Sequence, residues 1–329
     1  MASWVSGQQI TQAQIDSGWV SAFDGKTLAG FYSIIGSGAP NNDLVKNPDT
    51  VFSIRASDSC IHTDGKPTAH LITKKLYSHY RVRVQEKFDN LDNPIQNAGM
   101  LYHTRIEGPR MGAYPRSIEY QGQKRGMGEI WTISNVYVNT TVDTTITQHK
   151  YKPGGKMVTH GNPNGRQCLG SSVPYIDGEW NEMEGLVRGS DSAVHYVNGV
   201  VVFRCWKMRW SVKDDPFDTT NMLKEGSIAL QAENASVNYR HYMFMELDPV
   251  TGKAVNGKPT LAGSFPAPSK RNLLHAEARN GGWIIRYALP APARPNGEAD
   301  QLSFLTLDGR MITELSLSGS LNQSKWGKP

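Results

Sequence analysis

The chain has 329 residues, of which 32 are Gly and 18 Pro, 38% are hydrophobic and only 20% charged. It has no run of about 18 apolar residues and a mean hydropathy of −0.47, which excludes a membrane-spanning helix, while 8 Trp, 13 Tyr and 9 Phe are too many for a disordered chain. The net charge of +5 is dispersed, its densest groups being Arg81 and Arg83 near Lys74 and Lys75, and Lys207 with Arg209, so no nucleic-acid partner is expected.

Met1 to Ile10 lacks the basic and apolar regions of a secretion signal, which is also how a mature secreted domain reads. Residues 1–16 form an N-terminal segment, and from about 17 to 248 the sequence reads as short strands separated by turns. Arg81-Val82-Arg83-Val84-Gln85 alternates with period two, as do Leu186-Val187-Arg188 and Val194-His195-Tyr196-Val197, and β-branched and aromatic residues dominate these runs. Asn198-Gly199, between residues 194–197 and 200–203, predicts a two-residue hairpin whose type I′ turn needs positive φ at both positions. No amphipathic helix of three turns is found, so the expected class is all-β, an antiparallel sandwich or barrel.

Residues 249–270 contain Pro249, Gly252, Gly257, Pro259, Gly263, Pro266 and Pro268 and read as a linker. After it, residues 282–287, 302–307 and 311–315 are strand-like and make a small β module at 271–329, with a polar end from Ser316. Cys60, Cys168 and Cys205 form no CxxC pair and have no metal-ligand spacing; one internal disulfide at most is allowed.

The stretch richest in chemistry is Ser117-Ile118-Glu119-Tyr120-Gln121-Gly122-Gln123. On a strand Glu119, Gln121 and Gln123 share a face, and a carboxylate with two amides suits a surface that must donate to and accept from sugar hydroxyls. Glu129 and Trp131 likewise pair an acid with an aromatic platform. His103, in Leu101-Tyr102-His103-Thr104-Arg105, is a candidate proton carrier near neutral pH, and Gln231 with Glu233 form the polar face of Ile228-Ala229-Leu230-Gln231-Ala232-Glu233. Glu182 and Glu184 also share a face; a glycosidase dyad needs its carboxyls about 5–5.5 Å apart for retention or about 6.5–9.5 Å for inversion, but like charges on an exposed strand are the commoner outcome. There is no GxSxG, HExxH, P-loop or GxGxxG after a strand, so serine-nucleophile, phosphoryl and hydride chemistry lack support.

Taken together, these pieces resemble one family. Gly18-Trp19-Val20-Ser21-Ala22-Phe23-Asp24-Gly25-Lys26-Thr27-Leu28-Ala29-Gly30-Phe31 is similar to the opening GWxxLFDGKTLxGW of the 3-keto-disaccharide hydrolase domain family, with Ala22 for the usual Leu and Phe31 for the usual Trp. Asn97-Ala98-Gly99-Met100-Leu101-Tyr102, Ile118-Glu119-Tyr120-Gln121, Gly178-Glu179-Trp180-Asn181, Val197-Asn198-Gly199 and Gly226-Ser227-Ile228-Ala229-Leu230-Gln231 follow in the family's order. The resemblance implies a concanavalin A-like jelly-roll sandwich whose concave sheet holds carbohydrate, in a secreted bacterial setting.

It also implies a secreted enzyme that cleaves glycosidic bonds in a polysaccharide or a 3-keto-glycoside, and the competing reading is a non-catalytic carbohydrate-binding module using the same groove. A C3 carbonyl acidifies the C2 proton, so a base and an enolate stabiliser suffice without a nucleophilic dyad. On this footing Glu119 is the expected base and His103 a secondary catalytic candidate. Gln121, Gln123, Glu129, Gln231 and Glu233 are expected to bind hydroxyls, with Trp131 as stacking platform. No cofactor is expected, a structural Ca²⁺ being suggested by fold analogy alone. Leu305-Thr306-Leu307-Asp308-Gly309-Arg310-Met311 is similar to C-terminal sorting modules, which implies a truncated secretion module serving attachment to the cell surface.

Overall fold

In a computed structural model, the chain is described at residues 10–35, 45–90, 92, 94, 96–162, 165–171 and 174–258, and as backbone at Leu273–Arg279, Gly282–Ala288, Asp300–Leu305, Met311–Leu317 and Ser324–Lys325. It divides into two units, 1–258 and 259–329.

The first unit is two antiparallel sheets. One has ten strands, ordered β12 (Lys156–Gly161), β11 (Val136–Val142), β16 (Val200–Trp210), β15 (Ser192–Val197), β14 (Asn181–Arg188), β7 (His79–Phe88), β18 (Val237–Glu246), β5 (Cys60–Thr63) and β4 (Ser53–Arg55), with β1 (Val20–Ser21) also paired to β18. The other has eight, ordered β13 (Arg166–Cys168), β10 (Ile130–Ile133), β9 (Tyr114–Gln121), β8 (Gly99–Met111), β17 (Ser227–Ala232), β6 (Ala69–Thr73), β2 (Phe31–Ile35) and β3 (Val45–Lys46). Neighbours in space are distant in sequence: β7 lies between β14 and β18, and β8 pairs with β17. The architecture is a concanavalin A-like jelly-roll β-sandwich.

Period-two alternation decides which side chains meet between the sheets. In β7, Tyr80, Val82, Val84 and Phe88 are buried in the core while Arg81, Arg83 and Gln85 point outward. Across from them stand Met100 and Tyr102 of β8, Ile118 and Tyr120 of β9, and Ile228 and Leu230 of β17. Each such side chain contributes about 1.5–3 kcal/mol on burial. Some polar groups inside find local partners: the two ring nitrogens of His195 lie 2.9 Å from Gly128 O and 3.1 Å from the Tyr102 hydroxyl, and the Tyr120 hydroxyl donates to Tyr196 O. The Asn198-Gly199 hairpin has φ of 47° and 79°, the type I′ geometry expected from its sequence. Cys60, Cys168 and Cys205 are all free and buried.

The stretch 249–258, expected as the start of a linker, instead packs on the sandwich. Ala254 bridges back to Leu247 and joins the cluster of Ile10, Trp19, Met243, Met245 and Leu247, and Lys258 reaches Asp16 at 2.8 Å. Gly18, at φ 98°, leaves room for this return, since a Cβ there would stand 2.7 Å from that of Ala254. The rest of the expected linker, 259–270, lies outside the described residues.

In the second unit, residues 273–279 and 282–288 pair in register, residues 324–325 add a third strand, and residues 300–305 pair with 311–317. Of the segment likened to sorting modules, 306–310 lies outside the described residues.

Candidate functional site

The site forms on the outer face of the eight-stranded sheet. There Trp131, Glu119 and Leu101 stand side by side on β10, β9 and β8, with Ala229, Ile72 and Tyr32 continuing the row across β17, β6 and β2. The next row holds Gln121, Gly99, Gln231, His70 and Ile34. Gly99 decides what can meet here. A Cβ at that position would lie 2.6 Å from Gln231 Oε1, so its absence lets the β17 side chain cross over β8 towards Glu119. Beyond them, Glu233 pairs with Asn97 through a β-bridge.

This face is not open to water, although it is the outside of a sheet. The β8–β9 hairpin folds back over it, and Ile106, Met111 and Tyr114 pack on Ile34, Ile72, Leu101, Ala229 and Ile133. The Tyr114 ring meets the His70 ring edge-on at 4.9 Å, and its hydroxyl donates to Glu233. The hairpin therefore covers a polar cluster of Glu119, Gln231, Glu233, His70, Tyr114 and Asn97, called the pocket below.

Burial sets the chemistry of this pocket. Glu119 is 5% exposed, and its pKa is pushed up to about 8, first by burial and then by the negative charge of Glu233, with Gln231 opposing. Glu233 is also raised by burial, while hydrogen bonds from Tyr114 and Asn97 favour its anion. Of the two, Glu119 is held more towards its protonated form, because Glu233 receives hydrogen bonds from both Tyr114 and Asn97 that favour its charge while Glu119 is helped by Gln231 alone. His70 is fully buried and brought down to about 3 by desolvation, with the Ala113 backbone opposing, so its imidazole is neutral. Neither ring nitrogen completes a hydrogen bond. Gln231 lies close enough to favour the Glu119 anion, yet neither of its amide atoms completes one either, nor does Asn97 Oδ1. Buried polar atoms without partners are rare and need an explanation. Here several gather under one roof, around Glu119. Among the described residues no group of three or more His, Cys, Asp or Glu is placed to hold a metal ion.

The structure brings together Glu119, Gln231 and Glu233 of the residues singled out from sequence, with Gln121 and Trp131 alongside. Gln121 Oε1 accepts from Gln123 N at 3.1 Å, which ends the strand, so Gln123 sits in the following turn rather than on the shared face. Glu129 stands at the β10–β13 edge, where Gln167 Nε2 donates to it at 2.7 Å, and burial raises it to about 6. His103 is not in the pocket. A bulge with φ 51° turns it inward, where Nε2 lies 2.8 Å from Gly189 O and burial lowers it to about 4. Glu182 and Glu184 lie on the outer face of the other sheet. Arg81 and Arg83 clamp Glu184, Arg83 Nε at 2.9 Å, and Arg83 lies 3.5 Å from Glu182, so these carboxyls are ion-paired rather than a dyad. His70 and Tyr114 escape sequence reading, because each joins the site through a non-local partner.

The sequence profile of the 3-keto-disaccharide hydrolase family, the 3-keto-alpha-glucoside-1,2-lyase-like domain, matches residues 18–245. The chain belongs to this family. The match covers every residue of the pocket and stops within the last strand of the sandwich. No curated protein matches the sequence. Among solved structures, a putative glycosyl hydrolase from Parabacteroides distasonis is similar at 17% identity and a TM-score of 0.44, over 73% of this chain and 98% of that one. The carbohydrate binding module CBM66 from Bacillus subtilis is similar at 9% identity and 0.32, over 69% and 94%. The laminarinase from Rhodothermus marinus stands at 9% and 0.35, over 66% and 89%.

Proposed function

We propose that this member of the 3-keto-alpha-glucoside-1,2-lyase-like family cleaves glycosides oxidised at C3 by elimination across C1 and C2. The observation that carries the reading is buried Glu119 beside half-buried Glu233, two neighbouring carboxyls in unlike surroundings. Glu233, whose partners favour the anion, takes the C2 proton that the C3 ketone acidifies. The electron pair of that C–H bond becomes the C1–C2 double bond as the C1–O bond breaks. The departing oxygen takes the proton held by Glu119, so the products are an unsaturated 3-keto sugar and an alcohol. Water adding across the double bond, with both protons returned, turns elimination into net hydrolysis. Glu119 is the base expected from the sequence, and its raised pKa supports the role of acid instead.

The remaining groups serve binding and charge. Enolate charge develops on the C3 oxygen, and the N–H of neutral His70 is a donor among the same residues, the Tyr114 O–H being given to Glu233. Gln231, Asn97 and Gln121 supply donors and acceptors for hydroxyls, and half-buried Trp131 a face for the ring. A module that only binds sugar has no need of a carboxyl kept protonated at neutral pH, which favours the enzyme. The test is release of p-nitrophenol from p-nitrophenyl 3-keto-α-glucoside, with the unoxidised glucoside as control. Turnover confined to the keto substrate and abolished in Glu233→Gln is expected, while Glu119→Gln, whose acid a p-nitrophenolate leaving group does not need, fails only on the methyl 3-keto-α-glucoside; equal turnover of the keto and unoxidised substrates would count against elimination.

A further inference from the structure

A second opening lies away from the pocket, at the β11–β12 end of the ten-stranded sheet. It is a cleft of about 510 Å³ lined by Tyr137, Val158, Thr159, Arg166, Asp214 and Phe217 among others. The loop that forms its lip places Phe217 in solvent, 74% exposed, with Val212 at 69%.

The loop is also held firmly. Arg209 is 3% exposed, and it spends its guanidinium on the lip: Nε and Nη2 donate to Pro216 O at 3.0 and 2.6 Å. Nη1 donates to Asn139 Oδ1 at 3.1 Å and Lys207 O at 2.6 Å. Tyr137 O–H donates to Asp214 O at 3.3 Å, Asp215 N to Ser211 Oγ at 3.1 Å, and Phe217 N to Asp215 Oδ1 at 2.9 Å. Asp214 itself is in the left-handed region at φ 58°. Burying a guanidinium to fix the backbone beneath an exposed ring is costly, and the arrangement makes sense as pre-organisation of a contact surface.

The chemistry of the lining limits the occupant. The cleft falls in the range of small-molecule sites, about 300–1,000 Å³. Arg166 and Asp214 bring opposite charges, so neither a polyanion nor a polycation is favoured, and among the described residues neither side chain is tied up in an ion pair. An aromatic face beside planar polar groups and the Thr159 hydroxyl matches a sugar ring, apolar on its faces and hydroxylated on its rim. We propose that this cleft is a second carbohydrate site, one that holds an uncharged glycan apart from the catalytic pocket with Phe217 as its stacking platform. The carbohydrate class rests on the family reading above; the site does not depend on Glu119 chemistry.

The test is native affinity electrophoresis of the full chain in gels containing laminarin, pullulan or hydroxyethyl cellulose, with sedimentation run alongside. Wild type and Glu119→Gln should be retarded equally by at least one of these glucans. Phe217→Ala should lose at least tenfold in affinity and Phe217→Trp should keep it, while both release p-nitrophenol from the 3-keto-glucoside as wild type does. Absence of retardation on all three glucans, or retardation unchanged in Phe217→Ala, would overturn the proposal. So would a dimer that Phe217→Ala converts to monomer, since the lip would then be a contact between chains. Retention with no turnover of the keto substrate would leave this site standing and remove the enzyme reading instead.

Discussion

Glu119 owes its character to position rather than to residue type. Two residues away on the same strand, Gln121 is engaged in closing a turn, whereas Glu119 sits under a hairpin beside a second acid. Activity that needs Glu119 protonated should fall as pH rises through about 8, and Glu119→Gln should lower kcat by about 10²–10⁴-fold, read from initial rates between pH 5 and 10. The same shift bears on stability. The folded pKa near 8 stands above the ordinary 4.5, so the contribution is fully present below about pH 4.5 and is lost as pH rises through about 8. Chemical denaturation of Glu119→Gln should therefore show a flatter decline from pH 5 to 9 than wild type; an unchanged slope would mean that Glu119 is not desolvated. Glu233 is raised too, so some slope should remain. Residues 119, 231 and 233 are legible in sequence because strand alternation puts them on polar faces. His103 defeats the same rule, since one bulge reverses the side on which it lies.

At the scale of elements, the site depends on a strand order and on a fold-back. Gln231 and Glu119 meet because β8 separates their strands and offers only a glycine between them. In Gly99→Ala the new methyl would stand 2.6 Å from Gln231 Oε1 and 2.8 Å from Tyr120 O. We expect a loss of about 1–3 kcal/mol in stability by denaturant titration, the range for overpacking, and turnover reduced further than stability alone explains. The β8–β9 hairpin acts on the same pocket from above. Tyr114→Phe removes a donor that favours the Glu233 anion, so the acid limb of the pH–rate profile should move to higher pH with the fold intact. Sequence identifies both strands, but nothing local says that their far ends curl over the sheet. His70 and Tyr114 are therefore visible only once β6, β17, β8 and β9 are set side by side.

At the scale of the whole molecule, the turn-rich, aromatic-rich composition finds its place in a sandwich closed by residues well past the last strand. Proline and glycine after residue 248 read as a linker, yet Ala254 covers the Trp19 cluster, because short turns can return a chain as readily as release it. A chain ending at residue 258 should melt higher than one ending at 248; at about 2–4 °C per kcal/mol for a domain of this size, a difference of several degrees by calorimetry is expected. The jelly roll was legible because its alternation, its Asn198-Gly199 turn and its lack of helices agree with one another. The division of an elimination between buried Glu119 and its neighbour Glu233 is tested most directly in one assay. Wild type and Glu119→Gln are compared at pH 7 on methyl 3-keto-α-glucoside, whose alkoxide cannot leave unprotonated, with the enone product followed by absorbance. Enone should form with wild type and be lost in the variant; a wild-type protein that binds glycan but forms no product would contradict these roles.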